Sequence, residues 1–241
     1  TLAGMIEVEA GPFIAGGLGE PPSEGQRAAG AIEQERSLPL YWLDRTEVAN
    51  ATLAAVASAA LVAGVTPPAY PDTAALFDAG GLDRPVTAIT HRDAATICAL
   101  LGKRLASRDE WEKALRGGLT IAGRPNPYPR RNLPWGPPLT PPPANLLPAQ
   151  VGDGQVMGHP AGVGAFPGDV GPYGHLNLAG NVSEWTGAPT QGGFAIVRGG
   201  NWGETGTAVL VEYTSIDNPR PANAAMYHIG FRCAVTPPAQ P

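Results

Sequence analysis

Hydrophobic and polar positions along the chain predict short strands towards both ends and three helices between them. Residues 5–14 alternate apolar and polar side chains before Gly16 and Gly17, which predicts a strand and its turn. Residues 21–36 and 66–84 are polar or broken by proline and glycine, and we expect loops there. Further strands are predicted from apolar, β-branched and aromatic content, over residues 40–43, 194–198, 209–213 and 229–235.

Capping residues mark the starts of the three predicted helices. Asn50 is the expected N-cap of an Ala-rich helix that ends at Gly64. The other two begin at a Thr or Ser followed three positions later by an acidic residue, and end at glycine: Thr90 and Asp93 to Gly102, and Ser107 and Glu110 to Gly117. Each should pack one apolar face on a sheet: Ile97, Cys98 and Leu101 on the first, and Trp111, Ala114 and Leu115 on the second.

Glycine and proline change this picture towards a fold rich in loops. The chain holds 32 Gly and 27 Pro, yet 43% of its 241 residues are hydrophobic and five are Trp, which favours a folded chain over a disordered one. The prolines in residues 124–143 exclude helix and central strand there. We expect one domain over residues 1–235 and a disordered tail over residues 236–241.

The charge distribution excludes two classes of partner. A net charge of −5 without any run of Lys or Arg offers no surface suited to nucleic acid or anionic lipid. The longest apolar stretch, residues 51–64, is too short to span a bilayer and lacks the basic flank of a signal peptide. No nucleic acid and no membrane insertion are therefore expected, and the compartment, cytoplasmic or exported, stays open.

A series of sequence blocks follows one another along the chain: Asp44-Arg45-Thr46-Glu47-Val48, Pro85-Val86, Gly102-Lys103-Arg104-Leu105, Glu110-Trp111-Glu112, Pro134-Trp135-Gly136, Ala144-Asn145, residues 174–185, and the runs Val197-Arg198-Gly199-Gly200-Asn201-Trp202 and Ile229-Gly230-Phe231-Arg232-Cys233. In this order, the blocks together resemble the formylglycine-generating enzyme family, also called the sulfatase-modifying factors. The resemblance implies an α+β domain of the C-type-lectin fold, with little regular secondary structure. Glycine and proline content agrees with that fold independently.

The family's two catalytic cysteines have no counterpart here. Enzymes of the family oxidise a substrate cysteine with a C-x4-C pair just after the paired glycines, and those two positions hold Glu204 and Val209. The interval from Gly200 to Gly230 keeps the family's length, so the residues were replaced in place. Without a thiolate pair we expect no bound copper and no catalysis.

Residues 177–184, Asn-Leu-Ala-Gly-Asn-Val-Ser-Glu, supply the hard oxygen ligands that suit Ca²⁺. The resemblance implies a structural calcium site made by the side chains of Asn177 and Glu184 and the carbonyls of Gly180 and Val182. A second family site maps to Asn145, Leu146, Asp153 and Gln155. The alternative is that Asn177 and Glu184 only hydrogen-bond the loop, without metal. The four histidines show no paired spacing typical of zinc or iron sites.

The only two cysteines of the chain are Cys98 and Cys233. Cysteines at the matching positions form a disulfide in the enzyme family, so the resemblance implies a bridge between the second helix and the last strand. Two buried free thiols are the alternative.

Residues 202–228 are the predicted ligand surface, because small, polar and aromatic residues there suit adaptable recognition of a protein or other macromolecule. This segment also resembles the variable region of diversity-generating retroelement proteins, although Glu204, Glu212 and Met226 are not reachable by adenine mutagenesis of Asn-type codons. Three alternatives stay open: a fixed-sequence sensory or partner-binding domain, a diverged sulfur-oxidising enzyme, and a scaffold domain. The candidate ligand-binding residues are Trp202, Glu204, Thr205, Thr207, Val209, Val211, Tyr213, Ser215, Asp217, Asn218, Arg220, Asn223 and Tyr227.

Overall fold

Two four-stranded sheets, two short hairpins and three helices form the regular part of this computed structural model, which describes residues 2–17, 32–62, 81–137, 143–146, 158–187, 192–203 and 217–237. The predicted α+β class with little regular structure is confirmed. The helices are α1 (Asn50–Val62), α2 (His91–Leu100) and α3 (Arg108–Arg116). The strands are β1 (Met5–Val8), β2 (Gly11–Ala15), β3 (Gln34–Leu38), β4 (Tyr41–Asp44), β5 (Arg104–Leu105), β6 (Thr120–Ile121), β7 (Arg124–Pro125), β8 (Ser183–Trp185), β9 (Phe194–Arg198), β10 (Asn218–Pro221), β11 (Ile229–Phe231) and β12 (Cys233–Val235).

The last two strands connect the two large sheets. The first sheet has the order β1-β4-β12-β5, with β12 antiparallel to both of its neighbours. The second has the order β10-β9-β8-β11, in which β11 runs parallel to β8. The single strand predicted over residues 229–235 is therefore wrong, because Arg232 separates two strands that belong to different sheets.

Residues 5–14, which were predicted to form one strand, likewise belong to two strands. β1 pairs with β4, whereas β2 pairs with β3 in a separate hairpin. β3 includes residues 34–36, which were predicted to be loop. Its side chains are mostly exposed or half-buried, and a solvated strand of this kind carries no alternating apolar signal.

The capping signals give the boundaries of α2 and α3 correctly. The Thr90 side chain accepts a hydrogen bond from the Asp93 N–H at 3.2 Å. Ser107 and Glu110 form a reciprocal capping box. Asn50, in contrast, is the first residue of α1 and not its cap, since its amide group donates to the Gly81 carbonyl at 2.8 Å. The predicted end of this helix at Gly64 lies outside the described residues.

Two short strands that contain proline were not predicted from the sequence. β7 contains Pro125 and pairs only with the two residues of β6, within a region predicted to be loop. β10 contains Pro219 and Pro221 and lies at the edge of the second sheet, where a missing N–H is tolerated. The strand predicted over residues 209–213 lies outside the described residues.

The helices bury their predicted faces in two apolar clusters. Ile97 and Cys98 of α2 pack with Trp185 and Phe231 in one cluster. The other cluster gathers the apolar face of α3 with the N-terminal strands; its members include Tyr41, Leu43, Trp111, Ala114, Leu115 and Leu178. No helix in the described part of the chain is long and apolar enough to cross a membrane. Of the predicted tail, residues 236 and 237 are described and the remainder is not.

Candidate functional site

The loop over residues 177–184 leads into the buried strand β8 through two left-handed turns. Asn177 and Asn181 have φ values of 58° and 67°, and asparagine adopts this region more readily than other side-chain-bearing residues. Both asparagines are buried. Of the predicted calcium-site side chains, Asn177 thus lies in this loop and Glu184 on the strand that follows it.

A buried carboxyl group from the other end of the chain holds these two asparagines. Glu47 accepts hydrogen bonds from Asn177 Nδ2 at 3.0 Å and from Asn181 Nδ2 at 2.8 Å. Burial raises the pKa of Glu47 to about 8, against the opposing effect of Arg232, and nearby Glu184 raises it further. The sequence comparison included Glu47 in a family block but assigned it no role at this loop.

A second buried carboxyl group binds the backbone of the same loop. Asp169 accepts the N–H groups of Ala179 and Gly180, at 3.2 Å and 3.1 Å. Burial raises its pKa to about 7, although these backbone hydrogen bonds act in the opposite direction. Asp169 was missed in the sequence, where it follows a proline-glycine pair and carries no motif.

Glu184 is held between two side chains. Its carboxylate accepts from Arg232 at 2.6 Å and 2.7 Å, and from the indole of Trp111 at 2.8 Å. All three residues are almost completely buried. This arrangement ties β8, α3 and the junction of β11 and β12 together.

The loop has oxygen atoms that fit a hard cation such as Ca²⁺. Asn177 Oδ1 is buried and accepts no hydrogen bond from the described residues. A carboxylate offers about four lone-pair positions. Glu184 Oε1 therefore keeps acceptor capacity beside its bond to Arg232. The predicted carbonyl ligands, Gly180 and Val182, belong to the same buried turn. Within the described ranges, no three His, Cys, Asp or Glu side chains converge into a metal-binding group.

The second predicted calcium set is only partly described. Asn145 lies against the first loop, because its Nδ2 donates to Asn181 Oδ1 at 3.0 Å and its carbonyl accepts the Asn181 N–H at 3.0 Å. Leu146 packs against a small apolar cluster that contains Ala179. Asp153 and Gln155 lie outside the described residues, so this set stays a prediction.

The predicted ligand surface begins beside the same loop. The Trp202 N–H donates to the Asn181 carbonyl at 2.9 Å, and its neighbour Gly200 donates to the Ala179 carbonyl at 2.9 Å. Asn223 is exposed, and Tyr227 is 74% exposed. Seven predicted residues lie outside the described part of the chain: Glu204, Thr205, Thr207, Val209, Val211, Tyr213 and Ser215.

We call residues 199–217 the display segment. Contacts between neighbouring residues hold the two ends of this segment together. Asn218 and Arg220 lie on β10, which pairs with β9 so that Asn218 faces Val197. Arg198, the residue before the segment, donates to Asp217 at its end across 2.8 Å. Strand pairing and an ion pair therefore bring the two ends of the segment together at the edge of the second sheet.

Cys98 and Cys233 form a disulfide in the structure, with their Cα atoms 5.6 Å apart. Both are fully buried, within the apolar cluster below α2. Because the chain contains only these two cysteines, the bridge leaves it without a free thiol.

Comparisons with known proteins agree with the fold and identify the family. The sequence profile of the sulfatase-modifying factor enzyme 1-like domain matches residues 1–237. A Bos taurus protein named inactive C-alpha-formylglycine-generating enzyme 2 is 34% identical over 162 residues, 64% of this chain and 50% of that protein. The hercynine oxygenase of Mycolicibacterium smegmatis is 29% identical over 160 residues, 57% of this chain and 35% of that protein. The chain thus spans about half or less of these relatives, one named inactive and one named as an enzyme.

Two solved structures have a fold similar to that of this chain. PvdO from Pseudomonas aeruginosa has a TM-score of 0.66 at 21% identity, covering 96% of this chain and 93% of that one. Treponema denticola variable protein 1 has a TM-score of 0.59 at 17% identity, covering 97% of this chain and 95% of that one. The C-type-lectin-like fold implied by the sequence is confirmed, and the chain belongs to the sulfatase-modifying factor enzyme 1-like (FGE-sulfatase) domain family.

Proposed function

We propose that this chain is a non-catalytic binding module that presents the display segment and the exposed residues after it to a macromolecular ligand. The observation that carries the proposal is the state of its cysteines. The two catalytic positions hold Glu204 and Val209, and the only cysteines of the chain are joined in a buried disulfide. No thiolate remains to bind copper or to exchange with a substrate thiol.

The base of the display segment supports a role in recognition. Binding residues tend to lie on loops that a rigid scaffold positions. Here the Arg198–Asp217 ion pair and the β9–β10 pairing fix both ends of the segment. Tyr227 adds a large exposed aromatic side chain, a type that often contributes strongly to binding. The ligand would therefore contact the exposed ring of Tyr227 in addition to the display segment.

An oxidation assay tests the non-catalytic assignment. The chain is incubated with a cysteine-containing peptide, copper and oxygen, and the peptide is followed by mass spectrometry, with the mouse formylglycine-generating enzyme as positive control. We expect no oxidation of the peptide cysteine beyond that seen with heat-denatured chain. Turnover that depends on the folded chain would contradict the proposal.

We further propose that the display segment belongs to the variable protein of a diversity-generating retroelement. The composition of the segment and the fold that the chain has in common with Treponema denticola variable protein 1 motivate this assignment. Sequencing the DNA beside the gene tests it. A near-copy of the coding stretch for residues 197–233, altered at adenines and next to a reverse transcriptase gene, is the expected result. Absence of such a copy would instead leave a binding domain of fixed sequence.

We also propose that the loop over residues 177–184 binds a structural Ca²⁺, with Asn177, Gly180, Val182 and Glu184 as ligands. Bound Ca²⁺ would neutralise buried negative charge and fix the loop on which the display segment rests. The buried, unpaired Oδ1 of Asn177 supports this assignment. The second set, Asn145, Leu146, Asp153 and Gln155, is proposed on the family resemblance alone.

Two matched asparagine variants test the calcium proposal. Asn177→Gly and Asn181→Gly both tolerate the left-handed backbone, but only the first removes a proposed ligand. We expect Ca²⁺ at about 100 times its Kd to stabilise the wild-type chain by about 2.7 kcal/mol over EGTA. Asn181→Gly should keep most of this increment and Asn177→Gly should lose it. An equal response of both variants, or no effect of Ca²⁺ on the wild type, would contradict the assignment.

A further inference from the structure

An arginine-lined cavity of about 200 Å³ opens beside the base of the display segment. Three different elements supply its arginines: Arg36 from β3, Arg108 from the first turn of α3 and Arg198 from the end of β9. Small-molecule sites are usually larger, about 300–1,000 Å³. The cavity therefore suits one charged group of a larger ligand better than a complete free ligand.

One carboxylate that lines this cavity, that of Glu112, already has its charge compensated by neighbouring groups of the protein. Glu112, almost fully buried, pairs with Arg116 at 2.9 Å and with Arg198 at 3.2 Å, and accepts the Gly16 N–H at 2.7 Å. Its negative charge is thus compensated within the protein. The arginines nearer the mouth, Arg36 and Arg108, keep side-chain exposures of 31% and 43%.

The balance of charge around the cavity is positive among the described residues. The residues that line the cavity carry three guanidinium groups, of Arg36, Arg108 and Arg198, and two carboxylates, of Glu112 and Asp217. One positive charge remains in excess at a concave, partly exposed surface. Low-dielectric walls strengthen the attraction of such a surface for an anion.

The contacts of Asp217 show that the arginines of the cavity bind a carboxylate. One of its carboxylate oxygens accepts from Arg198 at 2.8 Å and the other accepts from Arg108. A carboxylate between two arginines is therefore already accommodated at the cavity wall. Arg36, on the other side, binds Asp109 at 2.6 Å and the side-chain oxygen of Gln34 at 3.1 Å.

We propose that this cavity binds an acidic side chain of the macromolecular ligand, with Arg36 and Arg108 as the contacting residues and Asp217 as the internal carboxylate that competes for Arg108. The inference rests on the proposed function, because it names the chemistry of the partner that the display segment meets. It makes the display segment and the cavity two parts of one recognition face, one adaptable and one of fixed charge.

The test uses a small probe and the full chain, so that no partner has to be known. N-acetyl-glutamate N-methylamide is titrated into ¹⁵N-labelled protein at constant ionic strength, and the amide and arginine Nε–H signals are followed by NMR. We expect saturable shifts around the cavity with a Kd on the order of 10 mM, as one charge-assisted contact would give. The isosteric N-acetyl-glutamine N-methylamide should bind at least about tenfold more weakly.

Four variants locate the site. Arg36→Gln and Arg108→Gln should each weaken binding of the glutamate probe about fivefold or more, and Asp217→Asn should strengthen it about threefold, because the internal competitor loses its charge. Arg130→Gln is the matched control, since Arg130 is 58% exposed, pairs with Glu33 and does not line the cavity. That variant should bind the probe with wild-type affinity.

Three results would overturn the proposal: non-saturable shifts, equal binding of the two probes, or equal effects of Arg36→Gln and Arg130→Gln. Inorganic phosphate binding more than about tenfold tighter than the glutamate probe would also overturn it, in favour of a phosphorylated partner. These outcomes concern the cavity alone. Failure of the proposed binding function would appear instead as peptide oxidation, which the probe titration does not measure.

Discussion

Reduction of the Cys98–Cys233 bridge should remove a large part of the stability of this fold. The bridge closes a loop with a sequence separation of 135, for which the chain-entropy relation gives about 5 kcal/mol at 25 °C. Measured bridges usually contribute less, about 2–4 kcal/mol, so we expect a loss of about 3–5 kcal/mol. Since whole domains are stable by only about 5–15 kcal/mol, the reduced chain should unfold readily.

Urea unfolding with and without a phosphine reductant measures this loss on one sequence, so no cavity is created. The fluorescence of the buried Trp111 and Trp185 reports the transition, and thiol titration establishes complete reduction. The double variant Cys98→Ala/Cys233→Ala is the control and should be less stable than the reduced wild type, because it also removes buried sulfur atoms. A reduced chain within about 1 kcal/mol of the oxidised one, at equal m-values, would refute the loop-closure reasoning.

Two further predictions concern the buried charges. Arg232→Met should lower the free energy of unfolding by about 3–5 kcal/mol in urea titrations, because Glu184 would stay buried without its partner; a loss under about 1 kcal/mol would contradict this. In EGTA, the free energy of unfolding should fall as the pH rises from about 6.5 to 8, because burial raises the pKa values of Asp169 and Glu47 to about 7 and 8 and the folded chain holds their protons longer. The low pKa of His175, about 3 through burial, acts in the opposite direction, at pH values below that window. Glu47→Gln should flatten the fall, and an unchanged slope would show that another group controls it.

Local signals in the sequence were sufficient for the helices but not for the sheets. Ser107 and Glu110 define the start of α3 within four residues of chain, so the capping box could be identified without tertiary information. The insertion of β12 between β4 and β5 depends on contacts across well over a hundred residues. β3 and β10 were missed because exposed side chains and prolines weaken the apolar signal that identifies strands.

In the candidate site, too, residues that are close in the chain could be predicted, whereas residues brought together by the fold could not. The proposed oxygen ligands among residues 177–184 are close together in the chain and match a family motif, so the sequence was sufficient to propose them as one set. Glu47, which orders two asparagines of that loop, lies 130 residues before Asn177. The arginine cavity was not predicted either, because Arg36, Arg108 and Arg198 come from three separate elements and share no spacing.

The central position of β12 has a consequence for synthesis in the cell. β1 and β4 are synthesised well before β12, the strand that joins them to β5 in the first sheet. The growing chain must therefore keep the apolar faces of β1 and β4 protected until β12 has emerged. Interrupted translation before residue 233 would yield products that cannot complete the first sheet. Such products would expose unpaired strand edges, which favour aggregation and engage chaperones, so completion of this domain depends on β12.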